Sequence, residues 1–315
     1  MKQIFNIIIS FLFTSIIAVS CNQYVVEKEI NPKINSHETI VVTDSRGQYI
    51  TFEEPPTKII SLSPAHTEII YALGLENHLV GTDTFSDFPQ KAKNKPKVGD
   101  AFNINLEAIV NLEPDLVYTT FETPVAPLEN AGIKVLYLFA PKDIEDLIAN
   151  IKLLGAITDS SDKAQDLTTA MESRINLIRS KLSDVKPSTR IYYELDPGFY
   201  TAGPNSFIGD IFSLLKTHNI ADGTENPYPK LSEEVIINED PTIIILGDSI
   251  EYLPNGVTIE DVKSRPSWGN ITAITTDKVY PFDDSLISRP GPRIVEGIEQ
   301  LGHLIYPALV PEGIR

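Results

Sequence analysis

A single cysteine, Cys21, stands in the whole chain, which rules out an intramolecular disulfide. Positive charge is also scarce. Lys and Arg number 26 against 43 Asp and Glu, a formal net charge of −17; such an excess of carboxylates argues against nucleic acid or anionic lipid as a partner and for a solubilising acidic surface. The five histidines, His37, His66, His78, His218 and His303, are scattered without ligand spacing, which argues against a metal site of the three-histidine kind. No glycine-rich phosphate loop, His-Glu-x-x-His or Gly-x-Ser-x-Gly occurs, so the common catalytic signatures are missing. Asp283-Asp284 is the nearest approach to a carboxylate pair, but neighbours on an extended segment point apart, and it reads as a solvated loop.

The only long apolar run extends from Ile4 to Val19 and falls short of the roughly 20 residues that span a bilayer, so it reads as an export signal rather than an anchor helix. Ala18-Val19-Ser20-Cys21 is similar to a bacterial lipobox, with Ala18 where leucine is more usual, and makes Cys21 the expected point of lipid attachment. Several acyl chains there would hold the protein stably on the outer side of the cytoplasmic membrane. Residues 21–38 are polar and aperiodic and read as a tether.

What remains suits two domains of ordinary size. Thr39 to Phe52 alternates around Asp44-Ser45-Arg46-Gly47, predicting a hairpin. Buried strands are predicted at 58–63, 79–81, 115–119 and 133–138, with helices at 67–73, 105–112, 124–131 and 143–155 between and after them. From Ser161 to Val185 there is no proline or glycine, and Ala164, Leu167, Met171, Ile175, Ile178 and Leu182 recur every three or four residues. That predicts one amphipathic helix of about 36 Å, either packed inside one domain or acting as a rigid connector. The pattern then restarts, with strands at 190–195, 242–246 and 278–280 and helices at 207–215, 233–238, near 258–264 and 293–306. The expected fold is α/β: two Rossmann-like lobes with parallel sheets, 39–160 and 187–315, joined by a long helix over 161–186 and preceded by a signal, 1–20, and a tether, 21–38.

One stretch is stated twice. Asn105 to Tyr118 and Ser232 to Ile245 align without a gap and share Glu107/Glu234, Ile109/Ile236, Asn111/Asn238 and Pro114/Pro241. Each reads as a capped helix, a proline stop and a buried strand, with Asn105 and Ser232 as N-caps. Both glutamates then fall in a first turn, where the helix dipole stabilises negative charge by roughly 0.3–1 kcal/mol.

Candidate ligand-contacting residues are aromatics in predicted loops at strand ends: Phe85, Phe88, Phe102, Phe121, Tyr200, Tyr228 and Trp268. Ligands of open α/β sheets bind beyond the carboxyl ends of strands, and aromatic walls suit a large, flat, partly apolar molecule. An exported two-domain enzyme acting on a small metabolite between its lobes is the alternative of another class, and would need a base or nucleophile facing oxyanion donors.

Lys58 to Glu68, Phe85-Ser86-Asp87-Phe88-Pro89, Asn105-Leu106-Glu107 and Arg289-Pro290-Gly291-Pro292-Arg293 together resemble the class III substrate-binding proteins of ABC importers for vitamin B12 and iron chelates, over about residues 40–307. The resemblance implies a monomer with no catalytic residue, no resident cofactor and no metal of its own. It implies a metal-chelate ligand held between two lobes with limited closure, and delivery to a permease dimer driven by a cytoplasmic ATPase. It implies further that Glu107 and Glu234 dock onto permease arginines, as charge-assisted pairing would favour. Asn226-Pro227-Tyr228-Pro229 is similar to segments of the B12-binding branch. The expected ligand is cobalamin or a related corrinoid; Trp268 is the only tryptophan where that branch carries several, which leaves a ferric siderophore or haem as the alternative. His66 either reaches the ligand or caps the following helix, and Arg289 and Arg293 either pair with an anionic ligand or bind local carbonyls.

Overall fold

The computed structural model describes residues 39–311, so the signal, the tether and Cys21 lie outside the described residues. The chain opens with an antiparallel hairpin of β1 (Ile40–Thr43) and β2 (Tyr49–Phe52), with Ile40 opposite Phe52. Its turn is built by the buried Asp44 carboxylate, which accepts from the Arg46 and Gln48 amides and from Arg46 Nε.

The first lobe follows as β3 (Ile59–Ser61), α1 (Pro64–Ala72), β4 (Leu79–Thr82), α2 (Leu106–Asn111), β5 (Leu116–Thr119), α3 (Val125–Asn130), β6 (Val135–Tyr137) and α4 (Ile144–Ile157). Its four strands are parallel in the order β4-β3-β5-β6. After α5 (Ser161–Lys181) come β7 (Arg190–Glu194), α6 (Phe207–Leu214), β8 (His218–Asn219), α7 (Glu233–Glu239), β9 (Ile243–Leu246), α8 (Ile259–Lys263), α9 (Thr272–Thr275), β10 (Val279–Pro281) and α10 (Ile294–Ile305). This second sheet is also parallel, in the order β8-β7-β9-β10. Second, first, third, fourth is thus the strand order of both sheets. The strands are short apolar runs because helices cover both faces; every residue of β3, β5, β6 and β9 is buried.

The two copies of the repeated stretch occupy equivalent places. Asn105 caps α2 by accepting from the Ala108 amide at 3.0 Å, and Ser232 caps α7 by accepting from Val235 at 3.2 Å. Ile109 and Ile236 are buried, each in the apolar cluster that holds a residue of the strand after it, Val117 and Ile244 respectively. Each helix ends at an acidic residue in left-handed backbone, Glu113 at φ 48 and Asp240 at φ 46, immediately before the shared proline. The residue after the proline then ties the sheet together: Asp115 accepts from the Thr57 and Lys58 amides, and Thr242 Oγ1 accepts from the Arg190 amide.

The connecting helix α5 stops at Lys181 rather than near Val185, with Leu182 as its C-cap. Ser183 and Asp184 follow, residues whose side chains compete for backbone hydrogen bonds, and Pro187 bars continuation. The remaining helix is about 32 Å long. Its buried face, Ala164, Thr168, Met171, Ile175 and Ile178, lies against α4, and Arg174 reaches Glu299 on α10 with bonds of 2.8 and 2.6 Å. Two short elements are unforeseen. β8 is two polar residues, and α9 is a single turn.

The α4–α5 contact has no spare room. A Cβ added at Gly155 would lie 2.4 Å from that of Ala164, so Gly155→Ala is expected to lower stability by about 1–3 kcal/mol despite its gain of up to about 1 kcal/mol in helix propensity. A thermal melt that moved upward would show that the two helices can separate without loss.

Candidate functional site

Most of the candidate residues lie in loops where strands of the two sheets finish. Phe85 and Phe88 follow β4, Phe121 follows β5, Tyr200 follows β7 and Tyr228 follows β8, while Phe102 precedes α2. These are exposed aromatics, from 38% for Phe121 to 66% for Phe102, an unusual concentration of large apolar side chains in water. Phe102 and Phe121 meet edge to face at 5.2 Å, and the Lys230 ammonium lies 5.7 Å from the Tyr200 ring centre.

Two expected members are not on this surface. His66 is 2% exposed and its ring stacks on Tyr118 at 3.4 Å and 3°. Burial drives its pKa down to about 3, so it is a neutral core imidazole. Trp268 is fully buried, edge to face with Tyr192 and beneath the Arg265 guanidinium at 4.6 Å. The predicted loop position of Trp268 is corrected by its packing: it opens a short 3₁₀ turn, residues 268–270, and its indole fills the second lobe's core. Asp283 and Asp284 also differ from a solvated loop. Asp283 accepts from the Ser285 amide, and Asp284 accepts from the Tyr193 hydroxyl at 2.5 Å.

Several residues of the candidate site escaped the sequence reading. Phe139, after β6, and Tyr252, after β9, are exposed aromatics in loops equivalent to the others, and the strand-end rule that selected Phe121 would have found them. The larger omission is Glu68 and Asp87, the carboxylates that pair with Arg293 and Arg289 in place of an anionic ligand or local carbonyls. Arg293, just before α10, holds Glu68 of α1 through two bonds of 2.9 and 2.7 Å, and Arg289 holds Asp87 at 2.6 Å. Burial pushes the Glu68 carboxyl above its ordinary range, and the Arg293 and Arg289 guanidiniums oppose that push. These contacts cross between the lobes and bring Phe88 to the second lobe, with its ring 4.1 Å from the Arg293 guanidinium.

Behind Tyr200, Glu194 at the end of β7 makes a bidentate pair with Arg265 at 2.5 and 2.6 Å. Beside it Asp248 is 3% exposed, and neither carboxylate oxygen has a hydrogen-bond partner among the described residues. Burial and the Glu194 charge drive its pKa up to about 7. Among the described residues, no three His, Cys, Asp or Glu side chains are grouped to hold a metal ion, and no helix is long and apolar enough to cross a membrane.

Glu107 and Glu234 are exposed, each in the first turn of its helix. Because crossover helices run back against the parallel strands, both glutamates sit at the end of their sheets where the strands finish.

Residues 59–286 match the model of a family described as periplasmic binding protein. The chain is 30% identical over 318 residues to an ABC transporter substrate-binding lipoprotein, YvrC, of Bacillus subtilis, covering 98% of each. It is 32% identical over 271 residues to a cobalamin-binding protein of Halobacterium salinarum, covering 84% of this chain and 73% of the relative. Among solved structures, the periplasmic vitamin B12-binding protein BtuF of Vibrio cholerae matches with a TM-score of 0.69 at 26% identity, over 81% of this chain and 98% of that one.

Proposed function

The chain belongs to the periplasmic binding protein family and is a binding protein rather than an enzyme, and on that premise we propose that it captures cobalamin or a related corrinoid between its lobes and delivers it to an ABC permease. The observation that carries this reading is the set of exposed aromatics at the strand ends of both lobes, from Phe85 and Phe121 on one to Tyr200 and Tyr228 on the other. A corrin presents a broad, largely apolar ring rimmed by amides, and rings of phenylalanine and tyrosine cover such a face at little cost in side-chain freedom. Lys230 and Arg289, near the same loops, supply cations for the polar rim.

Three further parts belong to the proposal. Cys21 carries lipid and holds the protein at the outer surface of the cytoplasmic membrane, in keeping with the lipoprotein named in Bacillus subtilis. Residues 39–160 and 187–315 act as the two jaws and α5 as the connector. Glu107 and Glu234 meet one permease subunit each, which gives a monomeric carrier two fixed points on a twofold partner.

Titration calorimetry of the purified mature protein against cyanocobalamin, cobinamide, haemin and ferric siderophores tests the ligand. Saturable 1:1 binding of a corrinoid, at micromolar affinity or tighter, is the expected result. Binding confined to haemin or a ferric chelate would transfer the role to iron supply, and binding of none would overturn it.

A further inference from the structure

Two sequence segments flanking the site, Pro64 to Glu68 and Arg289 to Arg293, do not contribute to the aromatic wall. They contribute to each other. Glu68 points from α1 of the first lobe, with its side chain 3% exposed, and Arg293 precedes α10 of the second lobe, with its side chain 13% exposed. The guanidinium donates to both carboxylate oxygens, through Nε to Oε2 at 2.9 Å and through Nη2 to Oε1 at 2.7 Å. The same planar group covers the Phe88 ring at 4.1 Å, an arrangement worth most when the cation is desolvated. Arg289 closes the neighbouring contact, at 2.6 Å from Asp87 and 3.9 Å from Glu68. Gly291 lies between the arginines, and a Cβ there would meet Glu68 Oε2 at 3.4 Å and the Ala65 carbonyl at 3.5 Å.

We infer that Glu68 and Arg293 form a strut between the lobes whose second task is to position Phe88, so that Arg293 is a positioning residue for ligand affinity without touching the ligand. The inference rests on the proposed ligand wall for its effect on affinity, and on geometry alone for its effect on Phe88. A surface ion pair between the lobes would be screened and would contribute little. This one is enclosed, bidentate and stacked, so its geometry is over-determined: moving the second lobe drags the guanidinium, and the guanidinium carries the ring of the Phe85–Pro89 loop. Lysine cannot replace it, because an ammonium lacks both the planar face and the fork.

The chemistry of Arg293→Lys separates this role from plain stabilisation, since positive charge beside Glu68 is retained. The ligand-free measurement places a tryptophan at position 88 by Phe88→Trp and follows its quenching by acrylamide, with and without Arg293→Lys. About twofold or greater quenching in the double variant is expected; unchanged quenching would overturn the inference. The affinity measurement is a double-mutant cycle with cyanocobalamin on the protein, Arg293→Lys, Phe88→Leu and both together. Arg293→Lys should weaken binding about tenfold when Phe88 is present and less than about twofold in the Phe88→Leu background, the coupling expected of contacting residues. Additive losses would mean that Arg293 acts elsewhere, and would overturn it. If cyanocobalamin does not bind the unsubstituted protein, the proposed ligand fails, while the acrylamide measurement still decides the strut.

Discussion

Replacing both Glu107 and Glu234 with arginine is expected to abolish ligand uptake by intact cells while leaving the affinity of the purified protein for its ligand within about twofold. The two effects separate because the glutamates lie on helix α2 and helix α7, outside the aromatic loops, and among the described residues neither makes a hydrogen bond that positions those loops. Their own contribution to stability is small. In the first turn of a helix each carboxylate is favoured by roughly 0.3–1 kcal/mol, and Asn105 and Ser232, which do the capping, are untouched. At a docking surface the sign reverses to repulsion, and like charges brought together at an interface cost several kcal/mol. With tenfold in affinity for every 1.4 kcal/mol, two such points remove association altogether. Measured uptake that fell only in proportion to ligand affinity would show that the glutamates are helix-terminal charges and nothing more. Single variants divide the effect: on a twofold partner, one reversed charge leaves one intact contact, and intermediate uptake is expected.

Asp248→Asn is expected to stabilise the protein, and more so in alkaline than in acidic solution. Asp248 is enclosed behind the end of β9, its oxygens have no partner among the described residues, and Glu194 repels its charged form. A carboxyl whose pKa is raised from 3.8 to about 7 on folding favours the folded state fully below pH 3.8. That stability is lost as pH rises towards 7, because the unfolded chain ionises freely and the folded one does not. A shift of this size corresponds to about 4 kcal/mol at pH 8. The amide recovers only part of this, since its own buried donors go unmatched at about 1–3 kcal/mol. Melting temperatures of the two proteins should therefore differ by several degrees at pH 8 and converge as pH approaches 4. A constant difference across that range would mean that Asp248 is ionised throughout.

The fold was legible to the extent that burial leaves a period in the sequence. Continuous apolar runs such as Ile243 to Leu246 are strands because both faces are covered, and the three-to-four spacing from Ala164 to Ile178 is the buried stripe of α5. The internal echo, with four identities, pointed to two related halves, and the shared strand order supplies what the identities could not: Asp115 and Thr242 differ in kind yet perform the same tie between the starts of the two central strands. β8 was illegible because His218-Asn219 has no apolar signature and earns its strand geometry by pairing with β7. In the site, aromatics could be placed in loops by rule, but burial could not be judged for an isolated residue. Trp268 and His66 therefore looked like contacts and are core. The pairing of Glu68 with Arg293 joins positions 225 residues apart, a separation at which no local pattern carries information.

One apolar cluster runs unbroken through both lobes, from Ile59 and Tyr118 through Met171 and Ile175 of α5 to Tyr193, Ile245 and Ile298. Prising the lobes far apart would tear that cluster and wet it, at about 25 cal/mol for every Å² of apolar surface exposed. The shared cluster therefore opposes wide separation of the two lobes, and thermal agitation has to work against it.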